Sequence, residues 1–209
     1  MLIHPWDAAR DDAEWQEWLG THDFGQLAVN GPPAEPPFVQ PLHFLYDGER
    51  GEVLAHLARP NPVWPALEAD PDVLLSVVDD YVYAPGYWQA MPDEPAEHGT
   101  PTSYYAAVQL RCRARVVDDP AEKAELLTEL MGHFQPEGGT AEVAAGEGPF
   151  GRMLSGLRGV RLEVVGVRAK FKYAGRKPEA HGRIAAGLAE RGGPRDAAAL
   201  RHLSRRRGA

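Results

Sequence analysis

Cationic and hydrogen-bonding side chains gather at two places in this chain, and both are composed to hold a phosphate. His56, Arg59, Asn61 and Trp64 fall within nine residues, in HLARPNPVW, where the pattern predicts a strand giving way to a short helix. Imidazole, guanidinium, amide and the free N–H groups of a helix start all bind phosphate oxygens. The plainer reading, a capped helix start with one surface arginine, is the more common use of such a spacing. Lys170 and Lys172 stand two apart in AKFKYAGRK, so they share one face of a strand. Two ammonium groups there suit a dianion, although paired lysines also guard sheet edges against aggregation. Arg111, Arg113 and Arg115 form a third cationic row, readable as a solvated sheet face balanced by acids, an anion groove or part of a dimer contact. The tail RHLSRRRGA places Arg201, Arg205, Arg206 and Arg207 at a helix C-terminus. There they complement the helix dipole, and four arginines supply little nucleic-acid affinity at physiological salt.

Residues that could do chemistry unaided are scarce. The eight histidines show no HExxH or other ligand spacing, so no metal site is predicted. Cys112, the one cysteine, lies on the apolar face of its strand and reads as inert core, and alone it excludes an internal disulfide. No Gly-x-Ser-x-Gly elbow, GxGxxG or GxxxxGK[ST] loop is present, which removes common hydrolase, dinucleotide-fold and P-loop chemistry. If the protein is an enzyme, a bound cofactor supplies the reaction.

The elements that must position these groups are legible from periodicity. Residues 11–19 read as a helix with Trp15, Trp18 and Leu19 on one stripe. A strand at 26–29 runs into GPPAEPP, whose prolines force an extended loop. Residues 38–46 and 52–58 form a hairpin about Asp47-Gly48, followed by a helix opened by Pro62 and a strand at 73–78. Residues 84–100, rich in Pro, Gly and acids, read as a functional loop that exposes Tyr87 and Trp88. The longest strand, 103–117, turns Tyr104, Ala106, Val108, Leu110, Cys112, Ala114 and Val116 to one side. Asp119, Pro120 and Glu122 then open a helix whose buried stripe is Leu126, Leu127, Leu130, Met131 and Phe134. A short helix at 150–157, a strand at 161–173 and helices at 178–191 and 194–205 complete the pattern. Strands in antiparallel succession with helices appended predict an α+β fold built round an antiparallel barrel, with peripheral helices. Residues 1–209 are expected to form one domain, with 178–209 as a C-terminal helical extension. The net charge of −8 argues against direct DNA or membrane binding. The lone cysteine and the lack of a signal or spanning segment predict a cytoplasmic protein.

In that order, the segments HLARPNPVW, YVYAPGYW, PTSYYAAVQLRCRARVVDD and AKFKYAGRK resemble the PaiB-type FMN-binding negative transcriptional regulators. These belong to the FMN-binding split-barrel group that includes pyridoxamine phosphate oxidases. The resemblance narrows the expected barrel to an antiparallel split β-barrel and implies a homodimer with FMN at the subunit boundary. It carries flavin contact to His56, Arg59, Asn61 and Trp64 in the HxARxNPxW segment and to Lys170 and Lys172 in the KFK segment. Tyr105 takes the place of the tyrosine that ends the family's PTWNY motif. It further implies a small-molecule substrate or nicotinamide donor, or a flavin-sensing regulatory role. The chain reads APGYW for the family's SPSWY, PTSYY for PTWNY and KFKYAGR for KFKLSQN. Those departures alter the aromatics and amides available to the isoalloxazine ring. Two further readings stay open: a regulator acting through DNA or a partner without flavin, and a haem protein using His56, His98, His133 or His181 as axial ligand.

Overall fold

The computed structural model describes residues 1–91, 93–146 and 148–206. In chain order the elements are α1 (Asp12–Leu19), β1 (Phe24–Val29), β2 (Phe38–His43), β3 (Leu45–Asp47), β4 (Glu52–Ala58), α2 (Trp64–Ala69), β5 (Asp72–Ala84), α3 (Gly86–Gln89), β6 (Thr102–Val117), α4 (Pro120–Phe134), α5 (Gly148–Gly151), β7 (Leu157–Lys172), α6 (His181–Arg191) and α7 (Asp196–Arg205). The strands make a seven-stranded sheet in the order β2-β1-β5-β6-β7-β4-β3. β1 pairs antiparallel with β2 and β5, and β4 with β3 and β7. The fold is α+β on an antiparallel sheet, as the alternation predicts, and of the split-barrel kind that the resemblance implies. The chain divides into two compact units: Met1–Trp15, Val78–Val108 and Arg168–Ala209 form unit 1, and Gln16–Val77 and Gln109–Val167 form unit 2.

Unit 2 is built on alternation. Leu27 and Val29 of β1, Val53 to Ala55 of β4, Leu75 of β5 and Leu110 of β6 are buried. Leu54, Val117, Leu126 and Leu130 form a cluster under α4. The Asp119 carboxylate caps α4 by accepting from the Glu122 N–H at 2.9 Å, the cap read from the sequence. Three details differ from the periodic reading. Phe44, fully buried, interrupts the expected 38–46 strand and donates its N–H to the Asp23 carbonyl at 2.8 Å. The two pieces therefore serve different neighbours, β2 on β1 and β3 on β4. α2 begins at Trp64, with Pro65 rather than Pro62 in its first turn. Phe134 is exposed and stands edge-on to His43 and His133 instead of closing the α4 stripe.

In unit 1 the two C-terminal helices cover aromatic side chains of the strands. Tyr104, Phe171, Tyr173, Ile184, Leu188, Ala199 and Leu203 are buried together in this unit. β5 runs on past Val78, and at Asp80 its backbone adopts φ +54°. This bulge moves the buried set from the odd positions Val73, Leu75 and Val77 to the even positions Asp80, Val82 and Ala84. Asp80 faces inward, where its carboxylate meets His202 Nε2 at 2.8 Å and its carbonyl accepts from the Tyr173 hydroxyl at 2.9 Å. Trp88 is buried, contrary to the exposed loop expected at 84–100: the absence of a side chain at Gly187 of α6 makes room for its indole, and the Arg191 guanidinium lies 4.9 Å from the ring centre. Arg206 is also buried, donating to both oxygens of Glu14 at 3.1 and 3.2 Å. It is thus a core ion pair, not a solvated dipole partner, while Arg207 of the same basic run lies outside the described residues.

Candidate functional site

The sequence-predicted residues separate between the units. His56, Arg59, Asn61 and Trp64 belong to unit 2, and Tyr105, Lys170 and Lys172 to unit 1.

In unit 2 the segment after β4 is a tightly bonded turn. The Arg59 Nε donates to the Ser155 carbonyl at 2.7 Å and its Nη2 to Asp118 at 3.3 Å. The Asn61 amide donates to Gln40 at 2.9 Å, while its carbonyl oxygen accepts the Val63 N–H at 3.0 Å. Trp64 is buried, with its indole N–H on the Ala58 carbonyl and the Arg158 guanidinium 5.0 Å over its ring. His56 is half-buried, and burial, reinforced by His43 5.2 Å away, pushes its imidazole below the ordinary histidine range. Its Nδ1 is enclosed without a hydrogen-bond partner. These four residues share one stretch of unit 2, yet much of their polar capacity is spent on neighbouring groups, and a carboxylate beside Arg59 opposes an anion there.

In unit 1 the geometry is different in kind. The N-terminal segment lies along the end of β7, through an antiparallel bridge between Ala8 and Lys170. Lys170 is buried and donates to the Leu2 carbonyl at 2.9 Å. Lys172 donates to the Thr102 hydroxyl at 2.8 Å. Both ammonium groups lie over the face of Tyr105, at 5.5 and 6.0 Å from its centre, an arrangement in which the ring quadrupole holds the cations. The Lys170–Lys172 pair is therefore an interior feature and not an edge device.

Lys172 opens onto a cavity of about 270 Å³ whose lining includes Trp6, Asp7, Tyr104, Arg176 and Lys177. Three cations, Lys172, Arg176 and Lys177, face one carboxylate, so the ionised lining carries 3 − 1 = +2. Trp6 is stacked on His4 at 4.7 Å and lies under the Arg176 guanidinium at 5.4 Å. The Tyr104 hydroxyl accepts from the Gln89 amide at 2.5 Å, and burial pushes its phenol up to about 12, so it stays protonated through the neutral range. Burial likewise raises the Asp7 carboxyl, against the pull of Lys170, Lys172, His4 and Arg206. The sequence reading missed Asp7, Gln89, Thr102, Tyr104, Arg176 and Lys177. Arg176 and Lys177 follow the KFK segment and could have been added to it by charge alone. Asp7 sits in a three-residue 3-10 turn, Pro5–Asp7, where no periodicity marks an inward side chain.

The remaining candidates carry less. The Cys112 thiol is buried and pushed up to about 12 by desolvation, which makes it inert. Among the histidines considered as axial ligands, His133 is bonded to Asp23 at 2.9 Å, His181 to the Ala174 carbonyl at 2.8 Å, and His98 is exposed. No group of three or more His, Cys, Asp or Glu side chains among the described residues is placed to hold a metal ion. No helix among them is long and apolar enough to cross a membrane.

Comparison with known proteins agrees with the flavin direction. A family profile described as "Putative FMN-binding domain" matches residues 1–165, which takes in Asp7, Tyr104 and Tyr105 and stops short of Lys170 and Lys172. Among solved structures, a flavocytochrome from Azotobacter vinelandii is similar at 20% identity, with 80% of this chain and 70% of that one covered and a TM-score of 0.60. An FAD- and haem-binding protein from Mycobacterium smegmatis is similar at 20% identity, with 79% and 73% covered and a TM-score of 0.60. A conserved hypothetical protein from Mycobacterium tuberculosis is similar at 15% identity, with 82% and 90% covered and a TM-score of 0.56. At these identities the likeness shows the fold. No curated protein matches the chain in sequence.

Proposed function

This chain belongs to that family of FMN-binding domains, and from that premise we propose that it holds FMN by its phosphate at the unit 1 cavity. The observation that carries the proposal is the convergence of Lys172, Arg176 and Lys177 on one cavity with a single carboxylate among them. A lining of that charge fits a phosphate ester, and the Thr102 hydroxyl fixes the Lys172 ammonium at 2.8 Å so that less side-chain freedom is lost on binding. FMN, when bound, supplies reversible electron acceptance, which none of the side chains offers. The protein's own part is to neutralise the phosphate with Lys172, Arg176 and Lys177. The Tyr105 face holds Lys170 and Lys172 in register.

Replacing Lys172 with Ala should weaken FMN binding roughly ten- to a hundred-fold, the weight of a charge-assisted hydrogen bond to phosphate. Quenching of flavin fluorescence on titration measures it, and an unchanged dissociation constant would sink the phosphate assignment. The resemblance extends the proposal to His56, Arg59, Asn61 and Trp64. Arg59, with its side chain 47% exposed, is the member best able to reach a ligand, so Arg59→Ala in the same titration decides whether that segment takes part.

The same motif order supports the finer parts of the reading: a cytoplasmic homodimer in which the flavin either passes electrons from a nicotinamide donor to a small molecule or serves as the signal of a PaiB-type regulator. Light scattering on the eluting protein tests the dimer, which a mass of 22.9 kDa would refute. Flavin-dependent oxidation of a nicotinamide donor distinguishes the oxidoreductase from the sensor.

A further inference from the structure

Phosphate binding leaves the cavity's one carboxylate without a task. Asp7 is 4% exposed and lines the cavity, but the nearest cation to its carboxylate is Lys170, at 4.0 Å, which is an ion pair without a hydrogen bond. Among the described residues no side chain or backbone N–H donates to that carboxylate. Such a carboxylate is costly, because it has given up most of its water, its side chain keeping 6% exposure, and has no protein donor in return. The rise of its protonation range through burial reports the same cost. The titratable groups around it are Lys170 and Lys172 from β7, His4 beside its own turn, Arg206 beyond α7 and the Tyr104 phenol from β6, and all but the phenol are cationic or can become so.

We propose that the unit 1 cavity selects a phosphorylated polyol or sugar, with Asp7 accepting a hydrogen bond from a ligand hydroxyl while Lys172, Arg176 and Lys177 take the phosphate. Three observations narrow the ligand to that class. Among the described residues no protein group supplies the donor that Asp7 can accept from, so a ligand hydroxyl can take that place from cavity water. The donor must be neutral, because an ammonium beside Asp7 would meet Lys170 within a few ångström and a lining of net charge +2. The volume, about 270 Å³, exceeds what a lone phosphate fills and falls just below the usual range of drug-sized cavities, about 300 to 1,000 Å³, which suits a small phosphorylated fragment. The ribityl phosphate of FMN and a free pentose phosphate share this chemistry. Only the first of these sources rests on the FMN reading.

The test is isothermal titration of the full chain with FMN, ribose 5-phosphate and inorganic phosphate, in the wild type and in Asp7→Ala, Asp7→Asn and Lys172→Ala. Asp7→Ala should weaken FMN and ribose 5-phosphate by about ten-fold, the scale of one hydrogen bond from a buried acceptor. Inorganic phosphate, lacking the polyol, should bind Asp7→Asn as well as or more tightly than the wild type, because a negative charge has left a cationic cavity. That opposite direction for the two probes also separates lost recognition from lost folding should Asp7→Ala prove unstable. Sugar-phosphate and FMN affinities untouched by both Asp7 variants overturn the assignment even if Lys172→Ala weakens them, and the FMN reading then survives without it. Ribose 5-phosphate binding that depends on Asp7, with no FMN binding, upholds the cavity assignment and defeats the FMN reading. Failure of both ligands to bind the wild type defeats both.

Discussion

Asp7 and His56 show how the same physical cause, burial, acts oppositely on an acid and a base. The Asp7 carboxyl is raised above its usual value of 3.8, so between that value and its folded one the native state binds more protons than the unfolded chain. Stability therefore falls as pH rises through that window, and the penalty is fully present above it. Asp7→Asn should remove this slope and raise the melting temperature of the ligand-free protein at pH 7, measured by calorimetry; a lower melting temperature would mean that the carboxylate is stabilised where it stands. His56 is lowered from 6.5 by burial and by His43. Below that value the unfolded chain binds the proton first, so the stability contributed by neutral His56 is present at neutral pH and lost as pH falls from 6.5 through the folded value. Replacement of His56 by Gln should flatten that acid limb in a denaturant series between pH 7 and 5. The two side chains differ in how far the sequence marks them. His56 stands out because it belongs to a dense polar motif, whereas Asp7 stands out only in three dimensions, since its burial depends on β7 running alongside a turn more than 160 positions away in the chain.

At the scale of elements, packing decides where periodicity holds. α4 and the core half of β6 follow their patterns because a single face meets a single neighbour: Tyr104 to Cys112 at even positions, and Leu126 and Leu130 on the helix, are buried. At the end of β6 the buried residue is Val117 and not Val116, since the strand there answers to α4 as well as to the sheet. The left-handed Asp80 is invisible in the sequence for a related reason. The pattern predicts a strand only as far as residue 78, and the bulge that carries β5 onward turns Asp80 inward to His202 and Tyr173. The closeness of Trp88 to Gly187 is a helix–helix contact with no counterpart in either local pattern. It predicts that Gly187→Ala, normally favourable within a helix, destabilises the protein by about 1–3 kcal/mol through overpacking. Chemical denaturation would show this, and a stabilised variant would mean that the indole yields without cost.

At the scale of the molecule, the fold class was legible in the sequence and the cavity was not. Alternating strands, appended helices and four short motifs suffice for an α+β split barrel. Arg176 and Lys177, by contrast, become part of a site only through the meeting of three separated stretches, Met1–Trp15, Val78–Val108 and Arg168–Ala209. β5, β6 and β7 each contribute residues to both units, and the single-domain expectation predicts one heat-unfolding transition; two resolved calorimetric peaks would overturn it. The buried pair of Glu14 with Arg206 joins the two ends of the described chain. Glu14→Ala strands a buried guanidinium and should cost about 3–5 kcal/mol, read from the shift of the denaturation midpoint. The span also sets an order of events during synthesis. A ribosome releases the cavity wall formed by Trp6 and Asp7 more than 160 residues before the partners Lys172 and Arg176. Unit 2, which needs the chain only as far as Val167, can thus gather its core while the Trp6–Asp7 wall stays open to proteases and chaperones.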